Sequence, residues 1–151
     1  MFLTAMITGA RLGEVRGLRW QDLDAGEGNL RIERAVWRQL LQTPKTQATV
    51  RMLHIPHELI EVLLAHKAQS RWAAEDDFMF ARADGTPYDA DHLRRVVLYP
   101  AMDRCQISRE KWKHGFHVFR HTAGSIVHAQ TGDLKLAQEL LGHSRIILHD
   151  L

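Results

Sequence analysis

The sequence predicts an α+β fold, mainly helical, with a small antiparallel β-sheet near its N-terminal part. Three observations carry that expectation. Apolar residues recur at helical spacing through most of the chain, period-two alternation is confined to the stretch from Leu30 to Ile55, and Gly or Pro marks many of the joins. With 151 residues and no internal repeat, low-complexity tract or interdomain linker, residues 1–151 read as a single domain, long enough to bury a core.

The opening residues read as two helical pieces broken at Gly9, the second carrying Leu12, Val15, Leu18 and then Leu23 as an apolar stripe. Arg11 and Glu14, three apart, share a face of that helix and are placed to pair. The turn-like DAGEGN leads into a strand where Leu30 and Ile32 begin the alternation. LQTPKTQAT, with Pro44 and small polar residues, reads as a loop or wide hairpin turn. TVRMLHIP is a second strand, with Val50, Met52 and His54 on one face and Arg51, Leu53 and Ile55 on the other; Arg51 is read as support for this strand.

From His57 to about Trp72 the pattern is helical, with Leu59, Ile60, Leu63 and Leu64 as its stripe. Phe78–Phe80 is a candidate third strand, and Asp84-Gly85 a turn. Asp89 or Asp91 caps a helix through HLRRVVLY that Pro100 is expected to kink or end. FHVFRHTAGSIVHAQ is another helix, with Phe116, Phe119, Ala123, Ile126 and Val127 as core candidates. Asp133 caps LKLAQELL, and Gly142 stands where a helix end favours a left-handed residue.

Charge decides little: Lys+Arg total 20 against 18 Asp+Glu, a formal net charge of +2. The arginines are less even, with Arg11, Arg16 and Arg19 followed by Arg31, Arg34 and Arg38, a hint of phosphate binding. No apolar run approaches the ~20 residues of a membrane span, and no signal-peptide pattern is present, so a cytoplasmic protein without a membrane partner is expected. The single cysteine, Cys105, excludes an internal disulfide and a metal-binding cysteine pair, and is expected to be a small buried side chain. His117 and His121 stand four apart, as a metal pair would. No carboxylate or cysteine lies at a matching spacing, and Arg120 between them repels a cation; neither a metal nor any other cofactor is expected. Both ends look cut, since Met1 falls within an apolar stretch and ILHDL stops as a new apolar segment begins.

Four segments, in order, carry a resemblance. TGARLGEVRGLRWQDLD (8–24) resembles the first arginine box of the tyrosine recombinase (phage integrase) family, with Arg11 at the catalytic arginine. HVFRHT matches that family's His-x-x-Arg box at His117 and Arg120, and LLGHSRI its Leu-Gly-His motif at His143. Between them TPKTQATVRMLHIP resembles the stretch bearing the family's catalytic lysine, here Lys45. The resemblance covers nearly the whole chain and implies the fold of that family's catalytic domain, with double-stranded DNA as partner.

By this resemblance Arg11 and Arg120 fork onto the non-bridging oxygens of a DNA phosphodiester, which suits planar, paired donors. His143 adds a donor, His117 handles protons near the nucleophile, and Lys45 protonates the departing 5′ oxygen. Glu14 holds Arg11, and His121 is a structural hydrogen-bonder in the Arg-His-Thr turn. The family's tyrosine follows its Leu-Gly-His histidine by about nine positions, which would fall past Leu151, and neither Tyr88 nor Tyr99 has a matching context. The resemblance thus implies a catalytic domain incomplete at both ends, without the family's N-terminal DNA-clamping domain, that binds DNA and is catalytically dead. A tetrameric synapse is implied for the full-length family; for this chain a monomer is expected, or weak self-association through Ile146, Ile147 and Leu148. Two other readings stand beside it. TGDLKLAQELLGHSRI superficially resembles a helix-turn-helix of a non-catalytic DNA-binding regulator, although the segment after Gly142 is short for a recognition helix. The histidines would otherwise serve a metal-dependent phosphoesterase, whose cleavage a chelator would stop.

Overall fold

The computed structural model describes residues 1–37, 40–42, 50–108 and 115–141. Helix α1 (Phe2–Thr8) stops at Gly9, a left-handed cap with φ of 61° whose amide donates to the carbonyl of Ala5. Helix α2 (Leu12–Gly17) follows at once, so the break falls where the glycine predicts it. A 3-10 turn at Trp20–Asp22 leads to β1 (Leu23–Asp24) and, across a turn, to β2 (Asn29–Ile32). Next come β3 (Ala35–Trp37), β4 (Leu40–Gln42) and β5 (Arg51–His54).

Strands β1, β2 and β5 form one antiparallel sheet in that order, with Leu30 opposite Leu53 and Ile32 opposite Arg51. Strands β3 and β4 pair separately as a hairpin, so the segment read as a loop opens as a strand instead. The chain leaves the first sheet at Arg34, whose guanidinium turns back onto both carboxylate oxygens of Asp22 at 2.9 and 2.6 Å. The alternation then sorts β2 and β5 as read: Leu30, Ile32, Leu53 and Ile55 face inward, and Met52 and His54 outward.

The inner face of the sheet packs on Val15, Leu18 and Trp20 and on α3 (His57–Gln69), whose Leu59, Ile60 and Leu63 are buried. Each such side chain contributes roughly 1.5–3 kcal/mol by leaving water. Leu64, read as part of that stripe, is instead 44% exposed: the sheet reaches only three positions of the helix. Residues 78–80 are not a strand. Phe78 makes an isolated bridge with Arg19, the Met79 amide donates to the Leu18 carbonyl, and Met79 and Phe80 fill the core. The turn at Asp84-Gly85 is present, with Gly85 at φ 81°.

Asp89 caps α4 (Ala90–His92), accepting the His92 amide at 2.8 Å. The helix then widens into a π-helical stretch (Leu93–Leu98) and continues as α5 (Tyr99–Arg104), with Pro100 in its first turn. Pro100 therefore does not end the helix, because the π-helical turn before it reroutes the bonds its missing N–H would leave open. Cys105 is exposed, contrary to expectation: it caps α5 at a turn with no core behind it.

Helix α6 (His117–Thr131) lies against α1 and against α7 (Leu134–Leu141), which Asp133 caps by accepting the amides of Lys135 and Leu136 at 2.8 and 3.2 Å. The inner side of α6 carries Arg120, Ala123 and Gly124, so Ile126, expected in the core, faces away and is 46% exposed. Phe116 joins Leu93, Leu98 and Met102 in a second apolar cluster, with Phe2 stacked on it at 5.3 Å between ring centroids. Among the described residues no helix is long and apolar enough to cross a membrane. Gly142 and the Ile146–Leu148 patch lie outside the described residues, as does the segment after α7 that a helix-turn-helix would need.

Candidate functional site

The site is built where α1 ends and α2 begins. Thr8 closes α1 by donating to the Thr4 carbonyl at 2.6 Å and accepts the Ala10 amide at 3.2 Å, which turns the chain sharply into Arg11. Arg11 is the extended N-cap residue of α2, and its amide donates to Glu14 at 2.7 Å. Its guanidinium meets the same carboxylate at 3.1 Å, with the arginine side chain 47% exposed and the glutamate only 12%. Glu14 is therefore a fixed, half-sunk anchor, and Arg11 the part of the pair that reaches solvent.

A second arginine holds Glu14. From β5, Arg51 donates to both carboxylate oxygens at 3.2 and 2.8 Å, the paired geometry that suits a guanidinium. Burial pushes the Glu14 carboxyl up, but the hydrogen bonds and charge of Arg51, and then of Arg11, outweigh it and hold the group below its ordinary range. Sequence reading assigned Arg51 only to strand support. The corrective signal was there, because its period-two partners Leu53 and Ile55 point into the core and an inward arginine needs a carboxylate.

Arg120 sits on the inner side of α6 and is buried. It donates to the Gly9 carbonyl at 2.8 Å and to the carbonyl of Leu141, tying the α1 cap to the end of α7. Burial, reinforced by the charge of Arg11 and also by Arg51, and opposed by Glu14, pulls its pKa down to about 10. Arg11, Arg51 and Arg120, from three distant stretches of chain, thus share one electrostatic neighbourhood with a single carboxylate. Burial is the main cause of the shift, and the charges of Arg11 and Arg51 add to it.

Beside this cluster lies a cavity of about 480 Å³ lined by Arg11, Glu14, Arg16, Arg94 and His117, with Leu12, Trp37 and Phe116 among its apolar wall residues. Strand β3 forms one side because α2 presents Gly13 and Gly17 to the chain there: a Cβ at either would stand 3.0 Å from a carbonyl oxygen of Val36 or Arg34. Buried Arg16 fixes the wall by donating to the carbonyls of Val36 at 3.1 Å and Tyr88 at 2.5 Å. Arg94 is a wall residue that sequence reasoning missed, and Arg16 was read only as one of a run of arginines; nothing in the local pattern marks a helix arginine as inward.

His117, at the start of α6, is exposed and lines the cavity with Arg11. His121 stands a turn further along, within the helix rather than in a turn, exposed, its ring edge-on to His117 at 6.3 Å. Among the described residues no cluster of His, Cys, Asp and Glu could hold a metal ion. The structure thus gathers Arg11, Glu14 and Arg120, and places His117 on the same cavity as Arg11. Lys45 and His143 lie outside the described residues.

Comparison with known proteins agrees with this architecture. The sequence pattern of the Phage integrase family matches residues 1–148. A "Tyrosine recombinase XerC-like" protein of Caldanaerobacter subterraneus subsp. tengcongensis is 29% identical over 97% of this chain and 42% of its own length. An "Integrase" of Streptomyces ambofaciens is 30% identical over 94% of this chain and 40% of its own. A solved Tn1549 transposon integrase, in complex with circular intermediate DNA, superposes with a TM-score of 0.82 at 20% identity, covering 95% of this chain and 51% of that one. The XerA recombinase structure superposes at 0.71, with 20% identity, 95% of this chain and 48% of that one. The fold is that of tyrosine recombinase catalytic domains. The chain belongs to the phage integrase family. It spans about two-fifths of the length of the curated relatives named here, at 42% and 40%.

Proposed function

We propose that this chain supplies the phosphate-holding part of an enzyme that performs site-specific DNA recombination, breaking and rejoining strands through a 3′-phosphotyrosyl intermediate in the complete protein, and that it acts in the cytoplasm on double-stranded DNA. The observation that carries the reading is the pair of guanidiniums on Glu14, from Arg11 and Arg51, with Arg120 within reach of their charge, a local excess of positive charge among the described residues beside a cavity that Arg11 lines. Such an excess suits a dianionic phosphorane, whose charge grows on the non-bridging oxygens during phosphoryl transfer.

In this reading Arg11 and Arg120 hold the scissile phosphate, and Glu14 positions Arg11. His117, on the cavity, moves a proton near the nucleophile; Lys45 and His143 complete the set as leaving-group acid and additional donor, with His121 in support. Two solved relatives support DNA as the partner, since one is an integrase with circular intermediate DNA and another a lambda integrase dimer bound to a core site. On these residues alone the expected activity is DNA binding without strand capture. The chain's two tyrosines, Tyr88 and Tyr99, both pack against the Phe116 cluster.

Duplex binding measured across a salt series tests this. Arg11→Gln is expected to weaken binding roughly tenfold at low salt and to lower the salt slope by about 1, as the loss of one phosphate contact should. If the folded variant binds duplex DNA like the parent at every salt concentration, the phosphate-site reading fails.

A further inference from the structure

We infer that Arg51 is a positioning residue for the phosphate site: by gripping both oxygens of Glu14 it stops that carboxylate from closing on the fork of Arg11, and so leaves Arg11 free to take an anion. The inference rests on the proposed phosphate-holding role of Arg11.

The geometry carries it. An arginine and a glutamate three apart on a helix are free to form a two-pronged pair of their own, with the carboxylate lying along the guanidinium fork. Arg11 and Glu14 do not do so. Both glutamate oxygens are taken by Arg51, at 3.2 and 2.8 Å. Arg11 touches the carboxylate through one guanidinium nitrogen at 3.1 Å and secures the other oxygen with its backbone amide at 2.7 Å. Most of the five N–H donors of an arginine are thereby kept off the carboxylate.

Exposure divides the labour in the same way: the Arg51 side chain is 13% exposed and that of Arg11 is 47% exposed. Arg51 is the inner clamp and Arg11 the outer hand. A purely stabilising role accounts poorly for Arg51. Its Nε is buried without a partner among the described residues, and its charge adds to the repulsion on Arg120. A buried cation with an unmet donor costs stability unless its other contacts offset it. The contact it makes is with the residue that decides whether Arg11 is neutralised.

The test is a two-residue cycle on the full chain, read by duplex DNA binding across a salt series with a thermal melt of each variant. Arg51→Gln should let Glu14 swing onto Arg11, lowering affinity roughly tenfold and the salt slope by about 1, as though Arg11 itself were lost. Adding Glu14→Gln to that variant removes the quenching charge but keeps a side-chain oxygen that can accept the Arg11 amide, and should restore part of the affinity and the slope. A direct phosphate contact by Arg51, or a merely structural one, gives no such recovery, and absence of recovery in the folded double variant overturns the inference. Arg51→Lys, which keeps the charge but cannot span both oxygens, provides the same cycle should the glutamine variant fail to fold. Arg11→Gln separates the two levels of argument. If it weakens binding while Arg51→Gln does not, only the inference falls; if neither does, the phosphate site falls with it.

Discussion

The domain contains two arginine–carboxylate clusters with opposite bookkeeping. Around Asp22, Arg34 is paired with both Asp22 oxygens and with Glu33, and Arg31 meets Glu33 at 2.8 Å. Two cations meet two anions, and Arg34 and Asp22 are nearly sealed from solvent, with side chains 8% and 3% exposed. Around Glu14, the guanidiniums of Arg11 and Arg51 share one carboxylate, the outer one half exposed, while Arg120 bonds to backbone carbonyls and feels their charge. The first cluster is complete in itself and fixes where the chain leaves the sheet. In the second, among the described residues, the cations outnumber the carboxylate. Residue type is the same in both; exposure and the count of charges among the described residues set them apart.

The largest expected effect breaks the balanced cluster. Asp22→Ala leaves the buried Arg34 guanidinium with Glu33 alone and releases the Arg19 amide that Asp22 accepts at 2.7 Å, so it should cost about 1–3 kcal/mol of stability in chemical denaturation. DNA affinity per folded molecule should stay within a factor of two or so of the parent, because ordinary coupling between separated sites is small. A variant that folds as stably as the parent would show that the Asp22 cluster is not a structural keystone.

A smaller effect lies at the seat of Arg120. Gly9→Ala places a Cβ 2.8 Å from Leu141 Cδ2 on a backbone at φ 61°, a conformation that costs an L-residue about 1–2 kcal/mol. Since the Gly9 carbonyl accepts from Arg120, DNA binding should weaken along with stability, unlike the outcome at Asp22. Loss of stability with unchanged affinity would detach the α1 cap from the binding site.

Much of this was legible in the sequence, and the exceptions have physical causes. The break at Gly9, the caps at Asp89 and Asp133 and the inward face of Leu30, Ile32, Leu53 and Ile55 follow from local chemistry. The pairing of Arg11 with Glu14 was legible in their spacing of three on a helix. Local pattern fails where tertiary contact decides. Leu64 and Ile126 have the spacing of core residues but no neighbour on their side, and Phe78–Phe80 fills a core position without joining a ladder. The continuation of the helix through Pro100 depends on a π-helical turn that no local preference announces. Arg51 was the costliest omission: its inward register was readable, but its carboxylate partner lies 37 residues earlier in the chain.

The subtlest difference between the clusters should appear on acidification. Glu14 has a carboxyl held below its ordinary value of 4.5, because the bonds and charges of Arg51 and Arg11 outweigh the upward push of burial. A carboxylate depressed in the folded state adds stability that is fully present above the unfolded value and is lost as pH falls through the folded one. The parent chain should therefore lose unfolding free energy more steeply than Glu14→Gln once the pH drops below 4.5. Above that range the two curves should run parallel, because there the carboxylate is ionised in both folded and unfolded parent. Denaturation midpoints across a pH series measure the difference directly. Parallel curves in acid as well would mean that Glu14 gains nothing from its two arginines on folding, and the contrast between a balanced cluster and a cation-rich one would lose its energetic basis.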